Sequence, residues 1–309
     1  MFKYITKRVL MAIITLWAII TITFMLMNLA PGNPFSKEGK MPPAVMENLM
    51  EKYGLNKPKS EQYVMYLKNI ARGDFGDSMI SKTETVNEMI SRGFPVSARL
   101  GLQAFLIAVV FGILFGTLAA IYQNQFADHF FMIIAIIGIS VPSFIMGSLL
   151  IQYVAKPIKF FPIGGWGSFK HTLLPSFTLA LMPMASISRL MRSSMLEVLN
   201  QDYVKTAKSK GLKKSTTIIR HGIRNAILPI ISSLGTTLSG LLTGSFVVEK
   251  IFGIPGLGMF FTNSIFKRDY TLIMGTTVFY SLVLITLLLI VDILYVVVDP
   301  RIDVTKEGE

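Results

Sequence analysis

The sequence predicts an all-α membrane protein with six transmembrane helices. Of its 309 residues, 52% are hydrophobic and 16% are charged, which is more apolar than a soluble domain usually is. Most of the uncharged runs exceed the roughly 20 residues that a helix needs to cross a bilayer. The ten-residue alternation typical of a membrane β-barrel is absent. The uncharged runs are 9–36, 100–127, 130–155, 171–188, 225–248 and 270–291.

The first apolar run is predicted to remain in the protein as a helix. Lys3, Lys7 and Arg8 precede it, as in a signal peptide, but the run continues to Leu29 and ends in "NLAPGNP". A signal peptide has a shorter apolar core of roughly 7–15 residues and a small-residue cleavage site. We therefore expect a first segment at 1–29 and a five-helix core at 100–298. The spans are predicted near 9–29, 100–122, 130–154, 171–190, 227–248 and 271–298.

The positive charges predict the orientation of these spans. Three basic residues precede the first span, nine lie between Arg189 and Arg224, and Arg301 and Lys306 follow the last span. The loops 156–170 and 249–269 carry three each. Since short cytoplasmic loops are enriched in Lys and Arg, we expect both termini, the loop 189–226 and the tail 299–309 to be cytoplasmic. The net charge of +12 is assigned to this topology, and no nucleic-acid partner is expected.

The segment 30–99 is predicted to lie outside the membrane on the opposite side. It carries ten basic and eight acidic residues, and "PPAVMENLMEKYG" and "PKSEQYVMYLKNIARG" each have the pattern of a short amphipathic helix. Proline begins each pattern and glycine ends it, as is typical of helix boundaries. We expect a folded extracytoplasmic cap that contacts an external partner.

The residue types exclude several kinds of chemistry. The sequence has no cysteine, its three histidines lack metal-ligand spacing, and no GxxxxGK[ST] motif occurs. Thiolate chemistry is therefore excluded, no metal site or cofactor is expected, and ATP would have to be bound by another chain.

Asp292 is the one acidic residue inside a predicted span. A carboxylate at membrane depth is costly unless it is paired or protonated, so a transport role is one hypothesis. The alternative is structural, because an Arg or Lys from the cytoplasmic side could pair with it. The sequence alone leaves both open.

The stretch "DYVKTAKSKGL" predicts a short cytoplasmic helix after the fourth span. Asn200 suits the N-cap, Asp202 the helix N-terminus and Gly211 the C-cap. Tyr203, Ala207 and Gly211 recur at i, i+4 and i+8, which places an aromatic ring and small surfaces on one face. Such a face is too small to anchor in lipid and favours docking into a groove of another protein.

These residues resemble ABC-importer permeases, in which an alanine and a glycine four residues apart lie on the helix that contacts the ATPase subunit. Lys205 and Thr206 stand where the general motif has Glu and Ala. Any role that the glutamate has in other importers therefore has no matching residue at this position. The resemblance covers essentially the whole chain and points to the B-type permease of the oligopeptide/dipeptide branch. It is carried by "APGNP", "YGLNKPKSEQYVMYL", "GDFGDS", "PSF", "MRSSMLEVLNQDYVKTAKSKGL", "RNAILP", "VEKIFGIPGLG", "RDY" and "VDILYVVVDPRI".

The resemblance implies a type I ABC importer permease fold in a prokaryotic cell membrane. The chain would pair with a C-type permease, two ATPase subunits that bind ATP and Mg, and an extracytoplasmic substrate-binding protein. It would move peptide cargo by alternating access without catalysing covalent chemistry. Relatives in this branch also carry nickel chelates, glutathione or oligosaccharides, which are the alternative cargoes. Two other classes of function are an ion-coupled carrier that uses Asp292 and a membrane scaffold without cargo. The implied ATPase-coupling residues are Asp202, Tyr203, Thr206, Ala207, Gly211 and Leu212.

Overall fold

The computed structural model describes residues 2–29, 42–81, 83–242 and 246–298, and most of them are helical. The predicted tail 299–309 and residues 30–41 of the extracytoplasmic segment lie outside the described residues. The helices are α1 Phe2–Leu29, α2 Pro43–Lys52, α3 Lys59–Ala71, α4 Val86–Ile121, α5 Phe126–Ser140, α6 Ser143–Leu150, α7 Phe169–Leu199, α8 Asp202–Ser209, α9 Lys214–Thr216, α10 Arg224–Ala226, α11 Leu228–Leu242, α12 Phe246–Ile251, α13 Leu257–Lys267 and α14 Tyr270–Val298.

Within the described part, five helices are long and apolar enough to cross a membrane, and a bent pair makes a sixth. These helices correspond to the six predicted spans. The second span differs in its start, because α4 begins at Val86 rather than near residue 100. The predicted extracytoplasmic segment therefore includes the first turns of a membrane helix.

The third span is broken, which corrects the prediction of one continuous helix at 130–154. Helix α5 ends at Ser140, and α6 starts at Ser143 at an angle of 110° to it. Pro142 causes the break, since proline has no N–H and pushes the preceding residue out of the helical region. Val141 accordingly has φ −92° and ψ 118°. The chain after α6 continues as a π-helical stretch, Ile151–Ala155.

The two predicted short helices are present as α2 and α3. Pro42 and Pro58 stand at their N-caps. Gly54 and Gly73 follow their C-termini with φ of 64° and 74°, a conformation that glycine adopts at little cost.

The chain packs as two compact units. The first unit combines the two ends of the chain, whereas the predicted segments follow one another along the sequence. One unit comprises the described parts of Met1–Pro95 and Gly256–Glu309, and the other comprises Val96–Pro255. In the first unit α14 packs against α1 and α13.

In the second unit, α7 is the central element and packs against α5, α6 and α11. Its side chains Met184, Met191 and Met195 are buried. Gly112 and Gly116 allow α4 to approach α7 closely, since a Cβ at Gly116 would lie 2.3 Å from the Ser188 carbonyl oxygen. Within the same unit, the Gly165 N–H donates to the Phe252 carbonyl at 2.7 Å.

Candidate functional site

The predicted coupling helix is present as α8, Asp202–Ser209, two residues after the end of α7. Asn200 is not its N-cap, which corrects that expectation. Asn200 is the C-cap of α7, and its side-chain amide donates back to the Leu196 carbonyl at 2.9 Å. The first turn of α8 instead begins at Gln201, whose carbonyl accepts from the Val204 and Lys205 N–H groups. A short connection of this kind ties the direction of α8 to the end of α7.

Gly211 ends the helix as predicted. Its φ is +78°, and the Leu212 N–H reaches back to the Ala207 carbonyl at 3.3 Å. This is the bond of a Schellman-type C-cap, which requires a residue in the left-handed region. No atom lies within 4 Å of a Cβ built at Gly211, so backbone conformation rather than space selects glycine here.

The faces of α8 differ from the predicted arrangement. Val204 is fully buried, and Ala207 is 6% exposed. Both lie where α8 packs against the π-helical stretch Thr217–Ile223 and the end of α7. Ala207 therefore belongs to the chain's own packing rather than to an open surface.

The open face of α8 is polar. Asp202, Lys205 and Thr206 are exposed. Lys205 Nζ lies 2.9 Å from Asp202 Oδ1, an exposed pair of the kind that contributes little stability. The lysines and arginines that follow make the surface strongly positive, and the exposed ones are Lys210, Lys213, Lys214, Arg220 and Arg224.

Tyr203 connects α8 to the helical run that returns to the membrane. Its ring is 46% exposed, and its hydroxyl accepts a hydrogen bond from Asn225 Nδ2 at 3.2 Å. The ring centroid lies 6.5 Å from that of His221. Of the six predicted coupling residues, Tyr203, Ala207 and Leu212 contact other parts of this loop, whereas Asp202 and Thr206 interact within α8 and Gly211 provides the turn.

Asp292 forms an ion pair with Arg8. Arg8 Nη1 lies 3.2 Å from Asp292 Oδ2, and the side chains are 44% and 31% exposed. Arg8 precedes the first predicted span, so the partner comes from the expected cytoplasmic side. This geometry is that of the structural alternative, in which a basic residue from the cytoplasmic side pairs with the carboxylate.

A second interhelical ion pair was not expected from the sequence. Asp128, in the first turn of α5, accepts from Arg192 Nε at 2.6 Å and from Nη2 at 2.7 Å. The Asn124 N–H donates to the same carboxylate at 2.9 Å. In the sequence, Arg192 is one of the nine basic residues between Arg189 and Arg224 that indicate the orientation of the spans. The available clue was an acidic residue at the start of an apolar helix, which does not identify a distant partner.

Two further acids, Glu249 and Asp269, are buried at positions outside the predicted spans. Glu249 Oε1 accepts from Ser97 Oγ at 2.7 Å. Asp269 stands just before α14 and accepts from the Leu272 N–H at 3.1 Å, which caps the helix N-terminus. It also accepts from Ser78 Oγ and from the Met79 N–H, so it fixes the extracytoplasmic segment to α14.

A cavity of about 240 Å³ lies between α3, the 74–79 stretch and α14. Tyr53 and Tyr66 line it. The Tyr53 hydroxyl donates to the Ser78 carbonyl at 2.8 Å, whereas the Tyr66 hydroxyl has no hydrogen-bond partner among the described residues. Burial raises the pKa of Tyr66. Over the described residues, no group of three or more His, Cys, Asp or Glu side chains is placed to hold a metal.

Comparison with known proteins gives matches over the whole chain. Residues 112–304 match the family model of the binding-protein-dependent transport system inner membrane component, and residues 1–100 match the N-terminal model of the same transport components. The chain is 49% identical over 308 residues to the dipeptide transport system permease protein of Bacillus subtilis, with all of both chains covered. It is 44% identical to the oligopeptide transport system permease protein of Escherichia coli K12, covering 98% of this chain and 99% of that protein.

Two solved structures share the fold at low sequence identity. One is an amino acid ABC transporter, with a TM-score of 0.53 and 16% identity, covering 67% of this chain and 92% of that one. The other is the MetNI methionine ABC transporter, with a TM-score of 0.56 and 16% identity, covering 68% and 96%. The predicted importer-permease fold is therefore confirmed. By its family matches and full-length relatives, this chain belongs to the binding-protein-dependent transport system inner membrane components and is a multi-pass permease subunit of the bacterial inner membrane.

Proposed function

We propose that this chain is a permease subunit of an ATP-dependent importer that takes up dipeptides or oligopeptides. The single observation that carries the cargo assignment is the identity of 49% over the full length to a dipeptide permease. The chain itself forms half of the pathway and catalyses no covalent reaction. ATP and Mg are bound by partner chains.

The proposed partners are a C-type permease subunit, two ATPase subunits and an extracytoplasmic substrate-binding protein. The binding protein contacts the segment around α2 and α3, and the ATPases contact α8. Lipid covers the apolar side chains that α1 leaves exposed, which include Leu10, Ile13, Ile14 and Trp17. Exposed apolar surface of this extent on a helix is typical of a membrane interface.

Helix α8 is proposed to dock into a groove of the ATPase through its polar face. Asp202 and Thr206 face outward and are the proposed contact residues. Val204 and Ala207 instead hold α8 on the chain's own helices, so a force on α8 reaches α7 and α11. Gly211 and Leu212 fix where the helix ends.

Transport then follows from a difference in affinity between two states. ATP-driven closure of the ATPase pair moves the two α8 helices of the permease dimer, and the spans rotate between inward-open and outward-open arrangements. The ATPases drive this change only by the amount that they bind one state better than the other.

The experiment is purification of the chain with its copurifying proteins in mild detergent, followed by reconstitution into liposomes with labelled di- and tripeptides. We expect two ATPases, a second six-span permease and peptide uptake that requires ATP hydrolysis. Uptake that continues with a non-hydrolysable ATP analogue would contradict the proposal. Selective uptake of a nickel chelate, glutathione or an oligosaccharide would keep the importer class and replace the cargo.

The docking of α8 is tested by Thr206→Trp. Thr206 is exposed, whereas Ala207 is buried, so only the former adds bulk to the outer face without disturbing internal packing. We expect ATP-dependent uptake to fall about tenfold or more, since losing about 1.4 kcal/mol of contact energy reduces an affinity tenfold. Ser215→Trp, at another exposed position of the same loop, is the control. Equal uptake by both variants in assembled complexes would contradict docking through this face.

A further inference from the structure

The ends of α5 and α7 nearest the coupling loop are joined by a two-bond ion pair between a buried carboxylate, Asp128, and a half-buried arginine, Arg192, whose side chain is 27% exposed. Arg192 donates to both oxygens of Asp128, at 2.6 Å and 2.7 Å. The Asp128 side chain is 4% exposed. Because the guanidinium and the carboxylate are planar and matched, a bidentate pair fixes orientation as well as distance. The third bond, from the Asn124 N–H, holds the carboxylate to the loop before α5.

The position of this pair relates two moving parts of the proposed transport cycle. Arg192 lies two turns before Leu199, where α7 ends, and α8 begins at Asp202. Asp128 lies at the start of α5, the first half of the span that is broken at Pro142. A displacement of α8 therefore moves α7 directly. It moves the broken span only through the contacts between α7 and α5.

Farther from this pair, α5 and α7 pack closely on each other. A Cβ at Gly138, for example, would lie 3.0 Å from the Leu181 carbonyl oxygen and 3.3 Å from Ala185 Cβ. Packed helices joined by such surfaces can shear past each other by small steps. The bidentate pair has one favourable geometry, so it sets the register of α5 on α7.

A role in stability alone does not account for a pair at this depth. Buried ion pairs can often be replaced by apolar residues with no loss of stability, and their best-attested use in proteins is to fix a register or a switch. The pair also lies next to the loop that carries α8 rather than in the middle of the core.

We propose that Asp128 and Arg192 are positioning residues that transmit the displacement of α8 to α5, so that the broken third span moves together with α7 during transport. This proposal rests on the proposed function, because it requires ATPases that act on α8. Its test therefore compares variants with a wild-type complex that is first shown to take up peptide.

The first experiment measures peptide taken up per ATP hydrolysed in reconstituted complexes. For Asp128→Asn we expect this ratio to fall about fivefold or more, the lower end of typical couplings between sites, while ATP hydrolysis continues. The charge-exchanged double variant, Asp128→Arg with Arg192→Asp, restores the pair and should recover part of the ratio. Asp292→Asn is the control, because it breaks an ion pair between two different helices, α1 and α14.

A reversible tether keeps the proposal testable if Asp128→Asn fails to assemble. The chain has no cysteine, so Asp128→Cys with Arg192→Cys gives a unique thiol pair for a short, reducible thiol-to-thiol cross-linker in a complex with cysteine-free partners. We expect a high ratio of uptake to ATP hydrolysis while the tether is closed and a low ratio after reduction of the same sample.

Two outcomes overturn the proposal. One is an unchanged ratio in assembled Asp128→Asn, and the other is an equal ratio before and after reduction of the tether. Failure of the wild-type complex to take up peptide would contradict the proposed function instead, so the two failures are distinguishable.

Discussion

Asp128 and Asp292 both pair with an arginine of another helix, but they differ in burial. The Asp128 side chain is 4% exposed, whereas that of Asp292 is 31% exposed with its partner at 44%. Removing one member of a fully buried pair leaves an uncompensated charge and costs about 3–5 kcal/mol. Because the Arg192 side chain is 27% exposed, loss of the Asp128–Arg192 pair should cost less than that. An exposed pair is worth about 0–1 kcal/mol. The two acids therefore predict different consequences of mutation.

For Asp292→Asn we predict ATP-dependent uptake within about twofold of wild type, because the substitution removes a carboxylate that is costly inside a span, and the long Arg8 side chain can extend toward the membrane surface. The measurement is uptake in liposomes from pH 5.5 to pH 8, with and without ATP. Arg8→Gln, which removes the partner, serves as the control. Loss of a pH-dependent component of uptake in Asp292→Asn alone would favour an ion-coupled carrier.

Tyr66→Phe is predicted to leave stability unchanged or to raise it. The Tyr66 hydroxyl is buried without a hydrogen-bond partner among the described residues, and such a group carries a desolvation cost that its removal relieves. Tyr53→Phe loses the bond to the Ser78 carbonyl and should cost about 0.5–1.5 kcal/mol. Thermal unfolding of both variants in detergent provides the comparison. A larger loss for Tyr66→Phe than for Tyr53→Phe would show that Tyr66 has a partner.

Roles that depend on neighbouring residues could be predicted from the sequence, whereas contacts between residues far apart in the chain could not. Gly211 could be assigned from sequence because a C-cap depends on the backbone of a few neighbouring residues. The burial of Ala207 depends on the stretch Thr217–Ile223 folding back onto α8, which the helical spacing of Tyr203 and Ala207 cannot reveal. The same holds for Asp128 and Arg192, which are 64 positions apart.

At the scale of helices, uncharged runs predicted the number of spans, since length and hydropathy determine whether a helix can cross a bilayer. They did not predict where the second span begins. The first turns of α4 contain Glu88 and Arg92, whose charges interrupt the apolar pattern although the backbone is already helical. The sequence does contain Pro142, but prolines are common in membrane helices, so it did not by itself predict a break of 110°.

Close packing of α4 on α7 predicts a strong effect of Gly116→Ala. The added Cβ would lie 2.3 Å from the Ser188 carbonyl oxygen and 2.6 Å from Met191 Cβ, so the helices must separate or deform. We expect destabilisation by about 1–3 kcal/mol, as for other overpacked cores, measured by thermal unfolding and by the yield of assembled complex.

Gly222→Ala is the matched control for this substitution. Its Cβ would first meet Met195 Cε at 3.1 Å, the far end of a flexible side chain that can move aside. We expect near wild-type behaviour. An equal loss of stability in Gly116→Ala and Gly222→Ala would show that separation of α4 from α7 does not determine the destabilisation.

At the scale of the whole molecule, the extracytoplasmic segment is expected to bind the substrate-binding protein. Helix α3 has no fully buried residue, and Val64 and Met65 are exposed on it. Apolar side chains exposed on a helix outside the membrane are typical of an interaction surface. A photo-reactive amino acid at Val64 should therefore cross-link to the binding protein.

The same label at Ser215, in the predicted cytoplasmic loop, is the control and should capture no binding protein. Mass spectrometry of the cross-linked products provides the readout. Repeated absence of binding-protein products from Val64 and other exposed positions of α2 and α3 would contradict the proposed contact.

The break at Pro142 has a consequence for the biogenesis of the protein. Helix α5 has 15 residues, and at 1.5 Å per residue it covers about 22 Å, less than the roughly 30 Å of hydrocarbon. The segment from Ser143 to Ala155 is shorter still and turns away. Neither half can integrate as an independent span, and both pack against α7, which the ribosome makes later. We therefore expect the third span to reach its bent form only after the fourth span is available to pack against it.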